Sequence, residues 1–504
     1  MLHNPTNGAL TAPSASWHRS LLVVVGVGVL SLLAIASMLR LADQIVAPVD
    51  GSIVILVAAF LVVPCTILLF VGIRQGRASF QEMRASIRWW HWLLLLAYIS
   101  QLVFRLRDVP EARDSPLDAW TILRIGPEAI IVAVLLSRLT LRRPDWLPSL
   151  YRGLIALLTT YAMVCVISSV WSVFPAWTLY HSLEYFMDIA LLATVLVMVR
   201  TADEYKTVMD WVWLVYGAGM VVVWIEAILM PQLAFQPPTH RLEGVFPIEN
   251  WNDLGTTAAA LSTVAVARIW RLDRNSVNRP WYLLLLVFSF VTMLAAQTRN
   301  SIAGFLVGTA LVFLFSKRLW ASTGFITLAT MALGTGVVRT FLERDTTQQA
   351  LSMDSLNGRM PFWNLAWDMI TRHPFTGLGA YAGGRFAVLA TLGAGAASTL
   401  HNDFLEVATG TSFWGLIPFG LALVLTWVVL VRAIRNPSLG PHEQQLALES
   451  IGIVGVLTVH AFFNTDLSWH APLIYFAALG CAEFLRRQSK APSGHREATA
   501  NAYS

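Results

Sequence analysis

Residues 398–431 read STLHNDFLEVATGTSFWGLIPFGLALVLTWVVLV. The second part of this stretch, from 411 onward, is almost wholly apolar, and about twenty such residues suffice to cross the hydrocarbon core of a bilayer as a helix. The first part is polar and sets His401 and Asn402 at the mouth of that helix. Comparable apolar runs recur along all 504 residues, of which 56% are apolar and only 13% charged. Ordinary soluble domains are about a quarter charged, and the mean hydropathy here is +0.60. The chain therefore reads as an all-α integral membrane protein, a polytopic bundle of about fourteen (12–14) transmembrane helices with one large loop.

The expected spans lie at roughly 21–39, 52–73, 89–104, 119–137, 151–170, 178–199, 207–230, 253–270, 281–297, 300–316, 319–338, 411–431, 446–464 and 470–485. They divide the chain into N-terminal helices (1–150), a transmembrane core (151–338), a long loop with short helices (339–410), C-terminal helices (411–486) and a tail (487–504). Many of the 20 tryptophans fall at span ends, as expected at a membrane–water interface: Trp89, Trp90, Trp171, Trp177, Trp281, Trp320, Trp414 and Trp469. Cys65, Cys165 and Cys481 lie inside apolar spans and read as small hydrophobes in helix contacts. The first apolar run is long and lacks a small-residue cleavage site, so no removable signal peptide is expected.

Alternate loops are rich in arginine: RQGRASFQEMRASIR (74–88), SRLTLRRP (137–144), ARIWRLDRNSVNR (267–279), SKR (316–318) and the tail from Arg486. Positive charge stays on the cytoplasmic side, a rule from which long loops are largely exempt. Both termini are thus expected in the cytoplasm, in a bacterial inner membrane. The net charge of +5 reflects this topology and offers no support for a nucleic-acid partner. The periplasmic face then receives PQLAFQPPTHRLEGVFPIENWND (231–253), the short turn QTRN (297–300) and the loop from Arg339 to Gly410. Within that loop MPFWNLAWDMI (360–370) predicts a short helix, apolar on nearly every side and ended by Pro374, followed by turn and loop over TGLGAYAGG (376–384). Gly377, Gly379 and Ala382 match a dinucleotide fingerprint only superficially, because no strand precedes them.

Asp403 and Glu406 have the spacing of a capping box at the start of the helix that follows His401. Three arginines share this face in short contexts: Arg241, Arg299 and Arg359. A guanidinium there can hold a phosphate bidentately and never loses its charge; the plainer alternative is an anchor reaching to lipid headgroups. The periplasm has no nucleotide sugars, so glycan transfer there draws on a donor carried by a lipid diphosphate. Arginines can stabilise the departing diphosphate, and a histidine can take the proton of an acceptor hydroxyl. No external Asp-x-Asp pair offers a Mg²⁺ site, so arginine takes the part that a divalent ion plays elsewhere. No cofactor or metal is expected.

The chain resembles the O-antigen ligase and polysaccharide polymerase superfamily over roughly residues 151–485. The resemblance rests on SSVWSVFPAWTLYHSLEY (168–185), RLEGVFPIENWNDLG (241–255), TRNSIAGFLVG (298–308), NGRMPFWNLAWDMITRHPFTGLGAYAGGRF (357–386) and LHNDFLEVATGTSFWGL (400–416). It implies a GT-C-like bundle of about a dozen spans with a large periplasmic loop, acting as a metal-independent, inverting glycosyltransferase. By resemblance His401 is catalytic, activating the acceptor, while Arg241 and Arg299 grip the diphosphate; Arg359, Arg385 and Asn402 are further substrate-binding candidates. The implied donor is an undecaprenyl diphosphate-linked glycan. The implied acceptor is lipid A core, for a ligase, or another lipid-linked glycan, for a polymerase of O-antigen or exopolysaccharide. Two departures stand out: Ser412 replaces the usual glycine eleven residues after the histidine, and Asn300 replaces the small residue after the second arginine. The rival reading is a secondary transporter, or a lipid-linked glycan flippase, built on the intramembrane acids Glu128, Glu184, Asp188 and Glu226. Arg124 and Glu128, however, are also one helical turn apart and can simply pair with each other.

Overall fold

The computed structural model describes residues 76, 86–101, 114, 117, 119–142, 146–236, 241–245, 248–271, 276, 278–316, 320, 323–327, 359–392, 399–469 and 473–490. The expected spans at 21–39 and 52–73, most of that at 319–338, the beginning of the long loop, Cys65 and the tail beyond Lys490 lie outside them. The described part is mostly helical. Its principal helices are α1 (Trp89–Gln101), α2 (Ala119–Arg142), α3 (Gly153–Ser168), α4 (Pro175–Met198), α5 (Ala202–Leu229), α6 (Trp251–Arg271), α7 (Arg279–Ala296), α8 (Arg299–Phe315), α9 (Met360–Arg372), α10 (Asp403–Arg435), α11 (Pro441–Ala461) and α12 (Leu473–Lys490). Each apolar run expected among these residues is a helix. Among the described residues α4, α5, α7 and α10 are long and apolar enough to cross a membrane, and α3 and α8 are shorter apolar helices.

The helices pack by size of side chain. α6 is sheathed by α7, α8 and α11, and from Leu254 to Ala265 its small residues are buried on every side. α8 and α11 meet along Gly304, Gly308, Gly452 and Gly455; a Cβ on Gly308 would lie 2.7 Å from the Gly452 carbonyl oxygen. In a bilayer, where lipid is as apolar as leucine, such close backbone approach is what brings helices together. α3 lies against α4 and α10, α10 against α11 and α12, and α1 against α2 and α5. Cys165 and Cys481 are free and buried in this packing.

Charges inside the bundle are matched across helices. Arg124 on α2 reaches Glu184 on α4 at 2.6 Å and donates to Tyr180 at 2.9 Å. Glu128, one turn along α2 from Arg124, takes the amide of Gln101. Glu184 is fully buried, and an uncompensated carboxylate there would cost several kcal/mol, which outweighs a contact of about 0.5 kcal/mol along one helix. At the other end of the bundle Arg268 forks onto Glu449 with bonds of 2.8 and 2.9 Å, binds Asp210, and donates to Tyr282 at 2.9 Å.

Between α5 and α6 two miniature hairpins form. Phe235–Gln236 (β1) pairs with Arg241–Leu242 (β2), and Gly244–Val245 (β3) pairs with Ile248–Glu249 (β4). Glu226 on α5 accepts the Val245 N–H at 2.8 Å and so ties them to the bundle.

α10 is broken near its start. Ser412 has φ 52° and ψ −145°, a backbone region that is essentially glycine's. The break frees the carbonyls of Thr409 and Gly410, which accept the N–H groups of Leu378 and Gly379, both at 2.9 Å. The glycines of the 376–384 segment follow from this contact. Gly377 and Gly379 have positive φ, and a Cβ on Gly377 would lie 2.4 Å from the Gly410 oxygen. Beyond that turn, Gly383–Leu389 forms a π-helical segment rather than loop. α9 buries only Ala366 and Ile370 and leaves Trp367 exposed, so it is less enclosed than its composition suggests.

Candidate functional site

His401 occupies a backbone conformation that β-carbons rarely adopt, with φ 53°. Both neighbours hold it there. Leu400 donates its N–H to Glu406 at 2.9 Å and receives the Trp363 indole N–H from α9 on its carbonyl, also at 2.9 Å. On the other side Asn402 is the N-cap of α10: its Oδ1 accepts the Leu405 N–H at 3.0 Å, and its Nδ2 donates to the Phe462 carbonyl at 3.1 Å. Strain that is over-determined by its surroundings is characteristic of functional positions.

This corrects the expected capping box. Asn402, one residue earlier, caps the helix, and both carboxylates are drawn elsewhere. Asp403 accepts the backbone N–H groups of Asp466 at 3.1 Å and Ser468 at 2.8 Å, together with Leu467 and the Ser468 hydroxyl. The turn between α11 and α12 presents these unsatisfied donors to a fully buried carboxylate, and four hydrogen bonds outweigh one cap. The start of α10 is thereby stapled to the turn that carries Asn464 and Asp466.

Asn464 places its Oδ1 3.2 Å from His401 Nδ1. Its Nδ2 donates to Asp466 at 2.8 Å and to Asp253, on the first turn of α6, at 3.3 Å. Asp466 also lies 3.2 Å from Nδ1 of His460 at the end of α11. Around that ring nitrogen stand Thr256 Oγ1 at 2.8 Å and Asn300 Nδ2 at 3.3 Å. Asn300, a departure from the family pattern, thus reaches a neighbour that a smaller side chain could not.

The three arginines sit on the same side of the bundle. Arg299 is the first residue of α8. Arg241 is on β2 with its guanidinium 5.4 Å from the Trp251 ring centre. Arg359 is the N-cap residue of α9 and donates to the Phe463 carbonyl, one residue before Asn464. Their charges act on one another in series. Burial, and then the charge of Arg299, lowers the pKa of Arg241. Burial, and then the charge of Arg241, lowers that of Arg359 to about 10. Burial, and then the charge of Arg359, lowers that of His401 to about 4, against the opposing pull of Asn464 and Asp466. At neutral pH the imidazole is therefore uncharged and able to accept a proton, beside guanidinium groups whose mutual repulsion an anion would relieve.

Arg385 has a different setting. It is buried on the π-helical segment with its guanidinium 4.9 Å from the Trp177 ring centre, against the aromatic lining of α4. Asn402 is engaged in its cap. Among the described residues no three His, Cys, Asp or Glu side chains are grouped as metal ligands would be.

Asn464, Asp466, His460, Thr256 and Asp253 were not legible as site residues. The one signal was the polar run NTD at 464–466 between two apolar spans. The hydropathy pattern placed Asn464 inside the membrane.

Residues 284–420 match the family model described as O-antigen ligase. The matched stretch holds Arg299, Arg359, Arg385 and His401; Arg241 precedes it, and Asn464 follows it. No curated protein matches the chain.

Proposed function

We propose that this membrane protein, whose residues 284–420 match the O-antigen ligase family model, is a glycosyltransferase acting on the periplasmic face of the bacterial inner membrane. In this reading it moves a glycan from a polyprenyl (undecaprenyl) diphosphate to a sugar hydroxyl, either of lipid A core or of a second carrier-linked glycan. The observation that carries the reading is the gathering of Arg241, Arg299 and Arg359 at the end of the bundle where His401 precedes α10, with Arg359 bonded to the Phe463 carbonyl one residue before the Asn464 that meets His401.

The acceptor oxygen attacks the anomeric carbon from the face opposite the diphosphate, inverting that centre. The carbon–oxygen bond to the diphosphate breaks, and its electron pair stays with the leaving group. Arg241, Arg299 and Arg359 balance the charge that develops there. The acceptor's proton passes to His401. The donor also prepares the base: when the diphosphate neutralises Arg359, the charge that holds the imidazole down is offset, and His401 becomes more basic with donor in place.

The transporter alternative loses ground because three of its four acids are engaged: Glu184 is held by Arg124 and His181, Glu226 by a backbone N–H, and Glu128 by Gln101.

The test is deletion of the gene, followed by complementation with wild type and with His401→Ala, reading the surface glycan on a gel. Loss of core-attached chains while long lipid-linked chains are still made identifies a ligase; accumulation of single repeats identifies a polymerase. His401→Ala is expected to fail in complementation although the protein accumulates normally. A wild-type glycan ladder from that variant overturns the base assignment.

A further inference from the structure

An imidazole that acts as a base must offer one ring nitrogen as a lone pair, and its other nitrogen decides which. The partner of His401 Nδ1 is the side-chain oxygen of Asn464, at 3.2 Å. An amide could in principle present either its oxygen or its nitrogen. Here the choice is made by two carboxylates. Asp466 at 2.8 Å and Asp253 at 3.3 Å both face the amide nitrogen, and carboxylates accept hydrogen bonds without offering any. Turning the amide over would set its oxygen against both of them. With Asn464 only 4% exposed, water cannot make good that loss. The oxygen must face His401, and Nδ1 must carry the hydrogen.

The placement of the amide is fixed as firmly as its orientation. The turn that carries Asn464 is stapled by Asp403, two residues after His401, through the backbone of Asp466, Leu467 and Ser468. His401, Asp403, the turn and Asn464 close a ring of contacts. Asp253 extends that ring to α6, two residues beyond the tryptophan on which Arg241 lies. Asp466 extends it to His460, beside Asn300 and hence Arg299.

An amide differs from a carboxylate in this position. It holds the ring and the tautomer, yet it takes no proton and adds no net charge. Asp466 and Asp253 stand one amide further out, so they orient the imidazole without bonding to it. A carboxylate in direct contact would favour the imidazolium, and a base that is already protonated cannot act.

We infer that Asn464 is a positioning residue for the transfer reaction: its amide, oriented by Asp253 and Asp466, holds His401 in the Nδ1–H tautomer and leaves Nε2 as the nitrogen that accepts the proton. This rests on the reading of His401 as the base, but its first test does not. In the full chain, labelled with ¹⁵N-histidine and purified in detergent at neutral pH, the His401 signals, identified by their loss in His401→Gln, are expected to show Nδ1 protonated and Nε2 unprotonated. Nε2 protonated instead overturns the proposal, whatever the activity. Asn464→Leu, similar in size but unable to accept, is expected to lose that tautomer signature and to lower transfer about 100-fold in complemented cells. Asn464→Gln, which keeps both the amide oxygen and the amide donor, is expected to recover at least a tenth of wild-type transfer. Wild-type transfer and unchanged signals in Asn464→Leu overturn the proposal. Should His401→Ala itself retain transfer while the wild-type signals show Nδ1–H, the function assigned to His401 fails and the tautomer assignment stands.

Discussion

Arg268, buried, and Arg359, half-buried, lie at opposite ends of the bundle, and their guanidinium groups keep opposite company. Arg268 is surrounded by acceptors: Glu449 takes two bonds, Asp210 a third, and Tyr282 a fourth, with Lys206 in turn on Asp210. Every positive charge there has a negative one in contact, and the group joins α5, α6, α7 and α11. Arg359 bonds a backbone carbonyl, and the charge that bears on it is that of another arginine. A fold assembled only for stability would not bring Arg241, Arg299 and Arg359 within reach of one another. The lesson is that burial of arginine is ambiguous until its neighbours are known: carboxylates around it point to architecture, and further guanidinium groups point to an anion that comes and goes.

The strongest way to break this contrast is at the balanced end. Arg268→Ala leaves Glu449 and Asp210 buried without their cation and is expected to destabilise the protein by about 3–5 kcal/mol. Thermal unfolding in detergent reads this directly, and a wild-type melting temperature would show the network to be dispensable.

Arg359→Gln sharpens the contrast from the other side. Removing one of several like charges is expected to leave thermal stability unchanged or slightly raised, while transfer falls about 100- to 1,000-fold, as when an electrostatic donor is lost from an active site. The same variant tests the electrostatics of His401, whose pKa is lowered from 6.5 to about 4. A depressed histidine stabilises the fold fully above its unfolded value. That contribution is lost as pH falls from 6.5 towards 4, because the unfolded chain takes up the proton first. In Arg359→Gln the imidazole should titrate closer to 6.5, narrowing the window of acid loss. A His401 titration that does not move upward in the variant would show that Arg359 exerts no charge on the ring.

The smallest effect is expected at Ser412, whose φ and ψ are those of a glycine. Ser412→Gly relieves backbone strain of about 1–3 kcal/mol but gives up the hydroxyl bond to the Pro374 carbonyl, itself a net contribution of about 1 kcal/mol. A net gain of up to about 2 kcal/mol is expected. A loss of stability on unfolding would mean that the hydroxyl bond to the 374–379 segment outweighs the strain.

Ser412 also marks how far the sequence could be read. Its replacement of a family glycine was visible, but the break in α10, and the turn of 376–384 seated on the carbonyls that the break exposes, were not. Asn402 and Asp403 divide in the same way. Both were recognisable as helix-start residues, yet which of them caps depended on whether the turn at 466–468 stood close enough to claim the carboxylate. The acid on Arg124's own helix, Glu128, was visible in the sequence, but the contact of Arg124 with Glu184 on the neighbouring helix was not.

What the sequence by itself determined is whatever is local along the chain. Apolar length marks α4, α5, α7 and α10, because crossing a bilayer is a demand on consecutive residues. Charges that are costly near a membrane single out His401 and the arginines, whatever surrounds them. The tertiary structure alone decided partnership: Arg359 with Arg241, Asp403 with the Leu467 turn, and Asn464 with His401 from the far end of α11. Those pairings depend on distances in space between segments remote in the chain, and hydrogen bonds and Coulomb forces act across a few ångströms without regard to residue number.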